Sequence, residues 1–163
     1  ISVIPEERRT DAGSTTGAKG ADMALTSSPY LSFPGNASEA FPYYQELFGG
    51  ELDMQTYDAM PSLEGFPFTP PPGAVAHATL TAPGITLAGG DGMGEDLPPL
   101  SSSVYSFLLI FDSADEARGF IDTVIGGGGA AGMPFEQAPW GALYGQVTDR
   151  FGIRWDVNVP AAA

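Results

Sequence analysis

The chain contains the same supersecondary pattern twice. Residues 33–40 lead into a segment that ends at Gly49-Gly50, and residues 110–117, seventy-seven positions later, lead into one that ends at Gly126-Gly127. Each copy reads as a strand, a short polar turn, a helix and a glycine stop. A repeated supersecondary unit is a strong fold signal. Two strand–helix–strands units can form one curved sheet around a shared pocket.

The first copy is predicted over residues 23–100. Apolar residues at spacings of three and four indicate an amphipathic helix after Ser38, a plausible N-cap, and before Gly49. Residues 58–73 form a Pro-rich loop, and Gly89 to Gly94 is interpreted as the start of a flexible linker. The strands of this copy are predicted at residues 29–33, 51–57, 74–81 and 85–88.

The second copy is predicted over residues 101–163. Its helix is placed at residues 115–125 with Asp115 as the N-cap, and its strands at residues 104–111, 140–148 and 153–159. Residues 1–22 are polar and lack periodicity, which indicates a flexible N-terminal extension. The sequence therefore predicts an α+β fold in which both copies belong to one structural domain.

The charge and composition exclude several classes of function. The net charge is −14, with 20 acidic against 6 basic residues, so there is no basic stripe for nucleic acid and little attraction to an anionic membrane. The lack of cysteine excludes disulfide and thiol chemistry. No apolar run approaches the roughly 20 residues needed to span a bilayer, and no signal peptide is evident. We expect a cytoplasmic protein. The acidic surface could keep the protein soluble, could be an adaptation to high intracellular salt, or could attract a cationic ligand.

The segment Ile153 to Val159 alternates between apolar and polar residues. Arg154, Asp156 and Asn158 share the polar face, which either meets water or lines a pocket. The repeat favours the pocket, because two sheets with helices on their outer faces leave the polar faces directed into a shared concavity.

His77 is the only histidine of the chain and lies on a second alternating strand. In the repeat, His77 and Thr79 of the first copy correspond to Tyr144 and Gln146 of the second. A lone histidine is either a hydrogen-bonded structural residue or a base or ligand, and histidine is the residue type that titrates near neutrality. A zinc site with two histidines is impossible, and no nucleophile-elbow motif supports a serine triad.

Two segments carry a family resemblance. Residues 29–40, with Gly35-Asn36-Ala37, continue to Leu47-Phe48-Gly49-Gly50, and residues 144–158 contain Asp149-Arg150-Phe151-Gly152. These segments resemble the opening and the ending of the PhnB-like proteins. That branch belongs to the glyoxalase / bleomycin-resistance / extradiol dioxygenase (vicinal oxygen chelate) superfamily. The resemblance covers about residues 24–160.

The resemblance implies two tandem βαβββ modules in a curved mixed sheet, with the helices on its outer face. It also implies a cup-shaped pocket, usually a homodimer, and in the enzymes a divalent metal held by four inward residues. Those four positions fall here on Pro29, His77, Ser106 and Asp156. Only His77 and Asp156 are credible ligands, so a possible divalent metal would have an incomplete set.

Three functions remain open at this stage. The chain could bind a small organic ligand in its pocket without proven catalysis, and a cationic ligand would suit its charge and aromatic residues. It could be a divalent-metal-dependent lyase, isomerase or dioxygenase-type enzyme with His77 as the catalytic base or ligand. It could also be a non-catalytic interaction dimer. The residues predicted to line the pocket are Phe33, Thr79, Trp140, Tyr144, Gln146, Arg154, Asp156 and Asn158.

Overall fold

The computed structural model describes residues 26–94 and 96–161. The extension predicted at residues 1–22 lies outside the described residues. The α+β fold with two strand–helix–strands modules is confirmed. No helix in the described part of the chain combines the length and apolar character needed to cross a bilayer. The elements are β1 (Tyr30–Phe33), α1 (Ala37–Phe48), β2 (Glu51–Thr56), β3 (Val75–Ala82), β4 (Ile85–Asp91), β5 (Phe107–Ile110), α2 (Ala114–Gly126), β6 (Ala130–Ala131), β7 (Glu136–Gln137), β8 (Leu143–Thr148) and β9 (Arg154–Val159).

The two modules share one strand topology. The first sheet has the order β1-β4-β3-β2 and the second β5-β9-β8-β6, with β7 also pairing with β8. The first strand of each module is parallel to its last strand, β4 or β9. Strand β9 is therefore the counterpart of β4, and β8 of β3. Within one chain the strands form two open sheets rather than one continuous sheet, and β1 and β5 each occupy an edge.

One aromatic core joins the two modules. Trp155 on β9 is fully buried. Its ring centroid lies 5.2 Å from that of Phe48 on α1 and 6.3 Å from that of Phe120 on α2. Both helices and the apolar faces of both sheets contribute to this one cluster. The polar faces are consequently directed away from the core, and the predicted shared concavity is not formed within a single chain.

Asp149, in the turn before β9, connects the two modules through hydrogen bonds. Its carboxylate accepts hydrogen bonds from Tyr44 Oη and Trp155 Nε1, both at 2.9 Å. It also accepts bonds from the backbone N–H groups of Phe151 and Ile153, at 2.9 and 3.0 Å. Asp149 is only 4% exposed. Burial, followed by the nearby Asp149 carboxylate, raises the pKa of the Tyr44 hydroxyl above its usual value.

Both helices begin slightly earlier than predicted. Helix α1 starts at Ala37, so Ser38 lies inside its first turn and is not the N-cap. The N-cap of α2 is Ser113 rather than Asp115, because Ser113 Oγ accepts a hydrogen bond from the Glu116 N–H at 3.3 Å.

Strand β4 is longer than predicted and ends at Asp91. Gly89 and Gly90 belong to the strand and not to a linker, since a Cβ on Gly89 would lie 2.3 Å from a backbone oxygen of β1. The Asp91 carboxylate then accepts hydrogen bonds from the N–H groups of Ala37 (2.9 Å) and Val75 (2.8 Å). The end of β4 therefore holds the starts of α1 and β3 in place.

Candidate functional site

The polar face of the first sheet is centred on His77 of β3. His77 Nε2 lies 3.1 Å from Thr79 Oγ1, and His77 Nδ1 lies 3.5 Å from Tyr30 Oη. The Tyr30 and His77 rings stack with centroids 5.7 Å apart. Alternation along β3 turns Ala78 and Leu80 into the core and leaves His77 exposed on the opposite face. An imidazole, a phenol and a hydroxyl are thus grouped on one open surface.

The polar face of the second sheet is built around Asp156 of β9. Ser106 Oγ donates a hydrogen bond to Asp156 Oδ2 at 2.6 Å, and Arg154 Nε lies 4.0 Å from Asp156 Oδ1. On the neighbouring strand β8, Gln146 Nε2 donates to Tyr144 Oη at 3.2 Å. Both Arg154 Nε and Asp156 Oδ1 are buried and lack a hydrogen-bond partner among residues 26–94 and 96–161. The predicted alternation of this strand is confirmed, because its apolar residues lie in the core.

Partial burial raises the pKa of the Tyr144 hydroxyl, and the Asp156 carboxylate acts in the same direction. The hydrogen bond from Gln146 opposes this shift. The phenol therefore stays protonated at neutral pH, so Tyr144 can donate as well as accept a hydrogen bond.

Aromatic and apolar side chains border this second face. Trp140 is 67% exposed, and its ring lies 6.1 Å from that of Tyr144. Asn158 pairs with Tyr144 on one side and with Ile110 on the other. Leu108 and Ile110 of β5 are 57% and 66% exposed. Seven of the eight residues predicted to line a pocket accordingly lie on a polar sheet face or at its border.

Phe33 is the exception and is withdrawn from the candidate site. Its side chain is fully buried and packs against Phe41 and Tyr44 of α1, with ring centroids 5.5 and 6.5 Å apart. Strand β1 alternates, and Leu31 and Phe33 both point toward the helix. The aromatic residue that β1 contributes to the polar face is Tyr30, which the prediction did not include. The alternation of Tyr30 with Leu31 was the signal that could have identified it.

The two polar faces are separate within one chain. In the described part of the chain, no hydrogen bond or salt bridge connects the His77 group to the Asp156 group. The structure therefore brings Thr79 together with His77, and Gln146 with Tyr144, but does not unite these pairs.

The residues present do not fit a tight divalent-metal site. His77 lies on β3, whereas Asp156 lies on β9, the counterpart of β4. Asp156 pairs with Leu108 of the edge strand as Ala88 pairs with Tyr30, so Ala88 holds the position that matches Asp156. Over the described residues, no group of three or more His, Asp or Glu side chains could hold a metal. Within one chain the two ligands carried over from the resemblance therefore do not form one site, and a pair of ligands alone is too small a set for a tight site.

Comparison with known proteins gives three findings. A sequence profile of the Glyoxalase/Bleomycin resistance protein/Dioxygenase superfamily matches residues 28–157. The chain is 36% identical over 143 residues to protein YjdN of Escherichia coli (strain K12), covering 81% of this chain and 93% of that protein. The crystal structure of protein PA1353 from Pseudomonas aeruginosa matches with a TM-score of 0.70 and 31% identity, over 85% of this chain and 100% of that one.

A protein of Bacillus cereus described as a putative 3-demethylubiquinone-9 3-methyltransferase, PhnB protein, has the same fold. It matches with a TM-score of 0.63 and 22% identity, over 83% of this chain and 100% of that chain. The neighbours therefore include a PhnB-like protein, as the sequence resemblance predicted, and at this identity the likeness concerns the fold alone.

Proposed function

The chain belongs to the glyoxalase/bleomycin resistance protein/dioxygenase superfamily, and on this premise we propose that it binds a small organic ligand between the polar faces of two sheets. The faces of one chain point away from each other, so the pocket needs two copies. The first-sheet face of one copy, with His77, would close against the second-sheet face of the other, with Asp156. A symmetric homodimer would contain two such pockets.

The observation that carries this proposal is the apolar exposure beside the two edge strands. Tyr30 on β1 is 57% exposed, and Leu108 and Ile110 on β5 are exposed to a similar degree. Edge strands also leave backbone N–H and C=O groups without sheet partners. Pairing β1 of one copy with β5 of the other would satisfy those groups, and burying a Leu or Ile side chain contributes about 1.5–3 kcal/mol.

The side chains of the two faces suggest the chemistry of the ligand. One face supplies the imidazole of His77 and the phenol of Tyr30, and the other supplies Tyr144, Asp156 and the indole of Trp140. Aromatic rings and a carboxylate suit an aromatic or cationic organic molecule. His77 as a base stays a prediction, and we derive no metal-dependent step because the donor set does not fit one. The cytoplasmic location also stays a prediction.

A mixing experiment tests whether the pocket is shared between copies. A panel of aromatic amines would be screened by thermal shift, and the strongest binder would be titrated calorimetrically into His77→Ala and Asp156→Ala. We expect each variant to lose binding and their refolded mixture to recover part of it, because a mixed dimer contains one intact pocket. If the mixture bound the ligand no better than either variant alone, the proposal of a pocket shared between copies would be wrong. If both variants bound the ligand as tightly as the parent chain, the ligand would bind elsewhere.

A further inference from the structure

A cavity of about 820 Å³ lies in the first module, away from both polar faces. It is bordered by the Pro-rich loop, the start of α1 and the end of β4. Its volume lies within the range of about 300–1,000 Å³ that is usual for small-molecule sites. Its principal lining residues are Ser38, Tyr57, Phe68, Pro71, Asp91 and Leu97.

We propose that this cavity is a second ligand site, which binds an organic ammonium ion with an apolar body. The site goes beyond the proposed function, because it shares no lining residue with the two polar faces. Asp91 pairs in register with Phe33, whose side chain points into the core. Paired residues of neighbouring strands project to the same face of the sheet. The Asp91 carboxylate therefore lies on the helix side, opposite the face that carries His77.

The apolar wall of the cavity is a built structure. Tyr57 is buried and meets the rings of Phe66 and Phe68 edge-on, with centroids 5.9 and 5.7 Å away. The loop is closed at its base, where the Gly73 N–H donates a hydrogen bond to Asp58 Oδ2 at 2.7 Å. Edge-to-face aromatic contacts are favourable beyond the area that they bury. These contacts hold the aromatic wall opposite the start of α1.

The polar feature of the cavity is a carboxylate without a cation. Each Asp91 oxygen accepts one backbone N–H, from Ala37 or from Val75, and a carboxylate has room for further donors. The start of α1 contributes only about half a positive charge, so net negative charge remains. No Lys or Arg lines the cavity within the described residues. An ammonium group could donate to Asp91 while its apolar body packs on Tyr57, and the whole chain, at −14, would attract it.

The test uses 2-phenylethylammonium as the probe and neutral 2-phenylethanol as its isostere, both titrated calorimetrically at low salt. We expect the amine to bind at least about tenfold tighter than the alcohol, and added salt to narrow that difference. Equal affinity of the two compounds, or no amine binding at millimolar concentration, would overturn the proposal.

Variants at four positions locate the site. In an Asp156→Ala background, which removes any binding of the amine between the polar faces, Ser38→Phe fills the cavity from an exposed position of α1 and should abolish binding. Thr123→Phe, at an exposed position of α2, should not change binding in that background. Asp91→Asn should reduce the affinity for the amine to the level of the affinity for the alcohol. Because Asp91 also anchors α1, Ser38→Phe is the deciding variant, and its retention of binding would contradict the proposal. Asp156→Ala alone should retain the probe binding that Ser38→Phe removes, which separates this site from the pocket between sheets.

Discussion

The two modules share a backbone plan but differ on the strand next to each edge strand. The outward positions of β9 hold the polar residues Arg154, Asp156 and Asn158. On β4, the position that corresponds to Asp156 holds the apolar residue Ala88. The inward positions at the middle of both strands are apolar and buried, with Leu87 on β4 and Trp155 and Val157 on β9. Packing constrains the inward positions and leaves the outward ones free. The repeat therefore specifies the scaffold twice, while the chemistry of each polar face is specified separately.

The sharpest way to test this comparison is to truncate the matched inward residues. Trp155 and Leu87 occupy corresponding places on β9 and β4, and both are fully buried. We expect Trp155→Ala to cost about 3–5 kcal/mol, because it removes aromatic contacts with both helices. Leu87→Ala should cost less, about 2–3 kcal/mol, because it acts within one module. Urea unfolding measures both, and a larger loss for Leu87→Ala would contradict the central position of Trp155.

The turns that precede these strands differ in the same way. The turn before β9 contains Asp149 with its four accepted hydrogen bonds, whereas the turn before β4 is Ala82-Pro83-Gly84. Asp149→Ala would leave several buried donors unsatisfied, and we expect a loss of about 3 kcal/mol. The exposed Asp122→Ala is the matched control and should remain within about 0.5 kcal/mol of the parent. Equal stability of the two variants would mean that Asp149 does not fasten the modules.

The pH dependence of stability gives a smaller effect. A tyrosine whose pKa is raised in the folded state binds its proton more tightly there than in the unfolded chain. Its contribution to stability is therefore complete below pH about 10 and decreases as the pH rises above that value. Burial raises the pKa of the Tyr44 hydroxyl, and it also raises that of the neighbouring Tyr43.

Helix α2 has Ile121 where α1 has Tyr44, so this sensitivity belongs to the first module. We expect Tyr44→Phe to flatten the decline of the unfolding free energy between pH 9 and about 11, relative to the parent chain. Denaturant titrations at each pH would measure it. A variant whose decline matched that of the parent would show that Tyr44 is not its source.

The sequence was sufficient for the module plan because periodicity reports which face of an element is buried. The alternation around Trp155 and the helix before Gly49 both held. Local reasoning failed where a contact spans the chain. The bond from Tyr44 to Asp149 joins residues 105 positions apart and links α1 of the first module to the turn before β9 of the second.

Two predictions, one of the site and one of the fold, are wrong for local physical reasons. The aromatic ring of Phe33 suggests a pocket residue, whereas its alternation with Ser32 places it in the core. The glycine-rich segment Gly89 to Gly94 predicts the start of a linker, whereas Gly89 and Gly90 belong to β4. The close approach of the β1 backbone requires glycine at position 89, and that of the β3 backbone requires it at position 90. The extension of β4 carries Asp91 to the cavity. A glycine pair alone cannot show whether a neighbouring strand lies that close.

The central claim is that the two polar faces meet between copies and not within one chain. The chain contains no cysteine, so Tyr30→Cys combined with Leu108→Cys introduces thiols only beside the two edge strands. A short bismaleimide would be added and the products separated on a denaturing gel. We expect a covalent dimer. A monomer whose two thiols are linked to each other would contradict the claim. A monomer that remains without any cross-link would contradict it as well.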